Sequence, residues 1–349
     1  MHVPAVEGIL SADEVRRTAE TIAEWQLPNG MIPWFPGGHA DAWNHAEAAM
    51  AMATCGLLAE AEAGYQWLAD IQRPDGSWHN YYLADGIEDA KLDVNCVAYV
   101  ATGIWHHFVI TGDRGFLEHH WDMIDRATEF VLDLQTKRGE VIWARRPDGS
   151  AWTYALLTGS SSIYHSLHCS RLIADALGCD RPHWIEGRDR LGAVIRDVPE
   201  AFEPKDRWAM DWYYPVLTGA ITGDAGRARL AEGWDAFVMA DKGVRCVSDR
   251  PWVTAAETCE CVMAHLAAGE RQRALDLFTW AQALRDDEGR YFTGLVFPEL
   301  VFFPDMERST YTAGAVVLAA DAIEGTNPTA GLFCDYPAAG SDTSGDEPV

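Results

Sequence analysis

The sequence predicts an all-α fold, a single closed ring of six helical hairpins: an (α/α)6 barrel, or six-hairpin toroid. Three observations predict it. Six glycines, Gly56, Gly112, Gly178, Gly223, Gly269 and Gly325, follow apolar helical stretches at intervals of roughly fifty residues, the mark of a repeated two-helix unit with left-handed glycine caps. Helices charged along one side alternate six times with helices poor in charge, as outer and buried inner layers would. Most joins from an outer to an inner helix are long, and in a ring of antiparallel helices such joins gather at one end.

The elements follow in order. The first outer helix, 11–26, opens on Ser11-Ala-Asp-Glu14, a capping box. Its inner partner, 41–55, starts at Asp41, an N-cap residue type, and runs into alanine and methionine. The next outer helices are expected over 57–72, 113–135, 183–198, 225–239 and 270–286. The inner ones are expected over 94–110, 161–177, 211–222, 255–268 and 310–324. Pro215 interrupts the fourth inner helix, and Thr254 to Glu257 makes a second capping box at the start of the fifth. The joins 27–40, 73–92, 136–160, 241–254 and 287–309 are long, and 199–210 alone is short. One helical domain is expected over 5–325, and 326–349, rich in Gly, Pro, Ser and Asp, reads as an acidic flexible tail.

Composition narrows the function. The 349 residues carry 27 Lys+Arg against 53 Asp+Glu, a net charge of −26, which disfavours nucleic acid and anionic membranes as partners. No apolar run is long enough to span a bilayer, and residues 1–10 lack a basic and an apolar region, so a cytoplasmic location is expected. The eight cysteines form no CxxC pair and read as reduced thiols. His165 and His168, the pairs His106-His107 and His119-His120, and Cys259 with Cys261 do not complete a zinc ligand set. Nucleotide-binding glycine motifs are absent, so neither metal nor cofactor is expected.

The expected mouth is rich in aromatic and acidic residues. Trp34, Trp43, Trp78, Trp143, Trp152, Trp208, Trp212 and Trp252 fall in the joins or in opening turns of inner helices. Tyr81, Tyr82, Tyr154, Tyr164, Tyr213, Tyr214 and Tyr311 fall there too. Aromatic rings offer flat faces to sugars, and carboxylates accept from hydroxyls and do acid–base work. A neutral oligosaccharide or polysaccharide is the partner that such a mouth suits. Trp43, His45, Glu47, Asp93, Trp152, Tyr164, Asp211, Tyr213, Tyr214, Trp252, Glu260 and Glu307 are the candidate substrate-binding residues. For Asp41 and Asp93 the competing explanation is a plain N-cap, for Glu257 a capping box, and for the rings core burial.

Three resemblances rest on particular motifs. Gln72-Arg-Pro-Asp-Gly76-Ser-Trp78 resembles the Q-x3-G-x-W repeat of terpene cyclases and prenyltransferase-like toroids. It occurs once in full, with an echo from Gln26 to Trp34, and the acid and magnesium motifs of those enzymes are missing. The order of segments from Trp43 through Gly76 to the last hairpin is similar to glucoamylase-like glycoside hydrolases. The acid of that family has no counterpart near Ala151-Trp152-Thr153. More specifically, Gly38-His-Ala-Asp41-Ala-Trp43-Asn44-His45, Asp211-Trp-Tyr-Tyr214-Pro215 and Pro251-Trp252-Val-Thr254-Ala-Ala-Glu257 resemble an actinobacterial group labelled prenyltransferase. That group includes endo-acting α-mannosidases of methylmannose polysaccharide. The resemblance implies a glycoside hydrolase cleaving an intracellular α-linked (methyl)mannose polymer. A terpene cyclase-like toroid and a non-catalytic glycan-binding toroid are the alternatives.

Acetal hydrolysis needs one protonated acid and a second carboxylate. Glu257 and Glu260 both suit the acid, one turn apart in apolar surroundings that favour the neutral form. Asp41 is the choice for the second group, with Glu47, Glu299 and Glu307 as competitors. The expected pair is Asp41 with Glu257, about 6.5–9.5 Å apart if the reaction inverts the anomeric centre.

Overall fold

The computed structural model describes residues 2–336. Twelve α-helices dominate it. The helices α1 (Ala12–Ala23), α3 (Leu58–Ile71), α5 (Arg114–Asp133), α7 (Pro182–Asp197), α9 (Gly223–Phe237) and α11 (Arg271–Ala281) carry the charged faces. Between them in sequence lie α2 (Ala42–Thr54), α4 (Val94–Thr111), α6 (Leu157–Leu177), α8 (Ala209–Leu217), α10 (Ala255–Ala267) and α12 (Thr310–Glu324). This second set packs in chain order, α2 on α4, α4 on α6, and so on to α12, and α12 returns to pack on α2. These six helices therefore close a ring. Their alanines explain how near they come: Ala46, Ala48, Ala49, Ala51 and Ala53 of α2 are all fully buried.

All six of the glycines that mark the repeat take left-handed backbone. The fourth inner helix departs from expectation. It spans Ala209–Leu217 rather than 211–222, because the chain turns left-handed at Gly219 two residues beyond its end. A side chain at Gly219 would collide with the ring of Tyr336.

The Gln-Gly pattern has a structural explanation, and it occurs three times. Gln72 follows α3, and its amide donates to Gly76 O at 3.0 Å and to Met123 O in α5 at 2.9 Å. Gln26 does the same to Gly30 O and to Glu60 O in α3, and Gln135 to Gly139 O and to Gly187 O in α7. Each glutamine ties the end of one outer helix to the next outer helix. Gly76 must lack a side chain, since its Cβ would lie 2.2 Å from Arg126 O. Trp78, the last member of the motif, is core: it is buried and donates to Leu68 O.

Strands occur only in the joins. β1 (Tyr81–Leu83) pairs with β2 (Gly86–Asp89), and β3 (Leu92–Asp93) with β4 (Ala144–Arg145). A five-stranded antiparallel sheet joins β5 (Val238–Met239), β6 (Gly243–Arg245), β7 (Trp252–Thr254), β8 (Phe292–Val296) and β9 (Val301–Arg308) in that order. The sequence reading did not foresee it. β7 feeds directly into α10 and β9 into α12, so the sheet braces the starts of two inner helices.

Of the tail expected from 326, residues 326–336 pack on the ring. Phe333 is buried, Leu332 O accepts from His165, and Tyr336 donates to Leu217 O. The rest of that expected tail lies outside the described residues. Among the described residues, no helix is long and apolar enough to cross a membrane.

Candidate active site

The N-terminal ends of the inner helices meet at one mouth. Asp41 caps α2, Asp93 caps α4, and Asp211 and Glu257 lie in the first turns of α8 and α10. Unsatisfied N–H groups at helix starts favour negative charge, so four carboxyls at these positions fit their local field.

A cavity of about 510 Å³ opens there. Three carboxylates stand in its wall, Asp41, Asp93 and Asp211, together with Lys91 and Lys205. Its aromatic faces come from Trp34, Trp43, Tyr81, Trp143, Tyr154 and Trp208. Trp143 and Tyr154 stack with ring centres 5.5 Å apart, and the Lys91 ammonium lies 4.4 Å from the Trp143 ring centre.

Asp41 is only 2% exposed. One carboxylate oxygen accepts from the backbone N–H groups of Trp43 and Asn44 at 2.8 and 2.9 Å. The other accepts from Trp34 Nε1 at 2.7 Å and Asn44 Nδ2 at 2.8 Å. Capping and site roles therefore coexist in one side chain. Asp93 repeats the design, accepting from Asn95 N and, at 2.6 Å, from Trp143 Nε1. Burial raises the pKa of Asp93, and Lys91 opposes the shift. Asp211 accepts from the backbone and hydroxyl of Thr158, and burial raises it as well.

Glu257 is half-buried and stands outside the wall of this cavity. Burial holds its pKa above the usual carboxyl range. Its charge acts on Tyr311 and on Tyr213. Tyr311 in turn meets Trp34 edge-on at 4.9 Å, and Trp34 is the indole bonded to Asp41. Trp34 thus stands between Asp41 and Tyr311.

Deeper in the ring lies a second acidic pair. Glu47 of α2 and Glu260 of α10 line a void of only about 10 Å³ with Tyr99 and Tyr214. Tyr213 and Tyr214 both donate to Glu260, Tyr214 at 3.0 Å. Burial pushes Glu260 up to about 8, and burial with the neighbouring Glu260 raises Glu47 well above its ordinary range. Trp43 bridges the two levels, its ring against both Tyr99 and Tyr214.

Of the sequence candidates, the structure brings Asp41, Trp43, Asp93 and Asp211 into the cavity. Glu47, Glu260, Tyr213 and Tyr214 form the closed layer beneath it. His45 lies elsewhere: Nδ1 accepts from Ile32 N, and Nε2 donates to Gly64 O, so both ring nitrogens are used inside the packing of α2 and α3. Tyr164 is likewise committed to α7, its hydroxyl accepting from Arg188. Trp152 packs beside Trp143 under the Arg146 guanidinium. Trp252, 37% exposed on β7, faces Phe303 rather than the cavity. Glu307 accepts from Thr293 within the β8–β9 region, where burial raises it. The motif reading missed the wall residues Asn80 and Lys205, polar groups in joins without a pattern to single them out. Among the described residues no cluster of three His, Cys, Asp or Glu side chains could hold a metal ion.

A cavity walled by carboxylates and aromatic faces, set in the mouth of a helical ring, suits a sugar chain and acid–base chemistry upon it. No family model matches the chain. It is 49% identical over 331 residues to the MMP endo-(1,4)-3-O-methyl-alpha-D-mannosidase of Mycolicibacterium hassiacum, covering 95% of this chain and 92% of that one. The chain belongs to the family of that enzyme. An uncharacterized glycosyl hydrolase of Methanocaldococcus jannaschii is 25% identical over 150 residues, 42% of this chain and 23% of its own. Among solved structures, a glycosidase in complex with glucose superimposes with a TM-score of 0.72 at 14% identity, covering 89% of this chain and 96% of that one. A D-mannose isomerase superimposes at 0.68 and 12% identity, covering 88% and 96%. The cellobiose 2-epimerase of Spirochaeta thermophila gives 0.66 at 14% identity, covering 88% and 93%. These three likenesses concern the fold.

Proposed function

We propose that the chain is an endo-acting α-mannosidase that cleaves a (1,4)-linked 3-O-methyl-mannose polysaccharide inside the cell, with the six-hairpin ring acting as an (α/α)6 barrel. The observation that carries the substrate assignment is the kinship with the M. hassiacum enzyme over nearly the whole of both chains. The eight unpaired cysteines accord with a reducing compartment. The helical unit over 5–325 serves as the catalytic domain.

In the mechanism, Glu257 is the acid and Asp41 the base. Burial raises the pKa of Glu257 and so favours its protonated form, the one that can deliver a proton to the leaving glycosidic oxygen. Asp41, oriented by four donors, takes a proton from a water molecule as that water attacks the anomeric carbon from the other face. The product then has the inverted anomeric configuration, a course that requires about 6.5–9.5 Å between the two carboxyls to leave room for the water. Glu47 and Glu260 line a narrow void beneath the cavity and Glu257 stands outside its wall, so Glu257 is set ahead of its neighbour as the acid by its greater exposure alone. Trp34, Trp43, Trp143 and Tyr154 provide the faces against which sugar rings lie.

The test is incubation with α-linked 3-O-methylmanno-oligosaccharides, with α-gluco-oligosaccharides as control, followed by product sizing and NMR of the fresh anomer. Internal cleavage of the mannose series with inversion is expected. No cleavage, or release of single sugars from one end, would refute the assignment.

A further inference from the structure

The join 199–210 is the one short connection at the mouth. Asp211 and Tyr154 stand both in the wall of the central cavity and in that of an outer groove of about 720 Å³. Trp208 and Asp211 stand both in the central wall and in a neighbouring hollow of about 270 Å³. The two outer hollows share Leu157, Asp206, Asp211 and Arg229. The three hollows therefore adjoin one another around Asp211 and Trp208, as one depression divided by those residues.

We propose that this depression is an extended sugar-binding groove, which holds units of the polymer beyond those in the central cavity. The inference rests on the endo-acting reading above and deepens it. An enzyme that cuts inside a chain must let that chain leave the cavity on both sides, and the adjoining hollows lie where one side could run. The divide between cavity and groove is firmly held. Arg229 donates to Asp211 O at 2.6 Å and to Trp212 O at 2.8 Å, while Asp211 accepts from Thr158. Trp208 is 48% exposed at this junction, and the Arg207 guanidinium lies 5.4 Å from its ring centre. Its indole offers a flat apolar face to a sugar passing from one hollow to the other. Arg138 and Glu203 supply a donor and an acceptor for hydroxyls farther along.

The groove can be filled without altering the central wall. Asp206 is exposed and lines both outer hollows, so Asp206→Trp places an indole in the path. The measurement is kcat/KM on α-linked 3-O-methylmanno-oligosaccharides of rising length and on the intact polysaccharide. In Asp206→Trp the ratio of the value on the polysaccharide to that on the shortest cleaved oligosaccharide should fall at least about tenfold, the scale of a lost binding contact. Glu203→Ala, in the outer groove alone, should lower the same ratio. A ratio equal to wild type in both variants overturns the groove and leaves the endo-mannosidase reading intact. A wild-type enzyme that cleaves none of these substrates overturns that reading, and the groove with it.

Discussion

Asp41→Asn separates the structural and chemical roles of one side chain. The new carbonyl can keep the cap, accepting from Trp43 N and Asn44 N as the carboxylate oxygen does now. The new NH2 faces Trp34 Nε1 and Asn44 Nδ2, two donors. Asn44 can turn its amide and offer oxygen instead, but an indole N–H is a donor only. One buried donor is left without a partner, which costs about 1–3 kcal/mol. The melting midpoint should drop by a few degrees, while the fold survives. Turnover should fall at least about a hundredfold, the low end for a positioned acid–base group. The double variant Asp41→Asn/Trp34→Phe removes the orphaned N–H. It should recover most of the lost stability and none of the activity. Thermal melts and single-substrate kinetics on a 3-O-methylmanno-oligosaccharide read both effects. Turnover within about threefold of wild type in Asp41→Asn would remove Asp41 from the chemistry.

Two further predictions concern protons. If Glu257 is the acid, kcat/KM falls as pH rises through its elevated pKa, and Glu257→Gln should fold normally, lose at least about a hundredfold and lose that basic limb. An unchanged pH profile in the variant would assign the limb to another group. Glu260 keeps its proton in the fold up to about pH 8, against 4.5 in the ordinary case. Between those values the folded chain binds a proton that the unfolded chain has lost, so this carboxyl makes stability decline with rising pH, by up to about 1.4 kcal/mol per unit. Glu260→Gln should flatten the melting-midpoint curve between about pH 5 and 7.5 relative to wild type; parallel curves would contradict the assignment.

The helical periodicity was legible because burial and charge alternate along the chain. The expected 94–110, 255–268 and 310–324 lie within a residue or so of α4, α10 and α12. The glycine caps were legible for the same local reason. The five-stranded sheet was not, because β5 to β7 are only two or three residues long and join β8 and β9 through the β7–β8 pairing across α10 and α11, which local pattern does not record. At the site, Asp41, Asp93 and Asp211 could be read from helix starts, since a cap position at the mouth of a ring is a position in its cavity. His45 and Tyr164 could not be sorted that way. They follow the same helix starts, but the partners that occupy them, Gly64 and Arg188, come from neighbouring outer helices. Glu257 and Glu260 looked interchangeable on one helix and were separated by depth alone.

The closure of the ring also ties the last hairpin to the first. Thr310, at the start of α12, donates its backbone N–H to Trp34 O and its hydroxyl to Pro33 O, a contact across 277 residues. Trp34 is the indole that holds Asp41. Contacts of such separation are slow to form, because so much chain must be ordered to make them. A nascent chain carrying five finished hairpins therefore has Asp41 in place on α2 but without the strut that α12 supplies. The contacts around Trp34 are therefore complete only once the sixth hairpin has docked on the first.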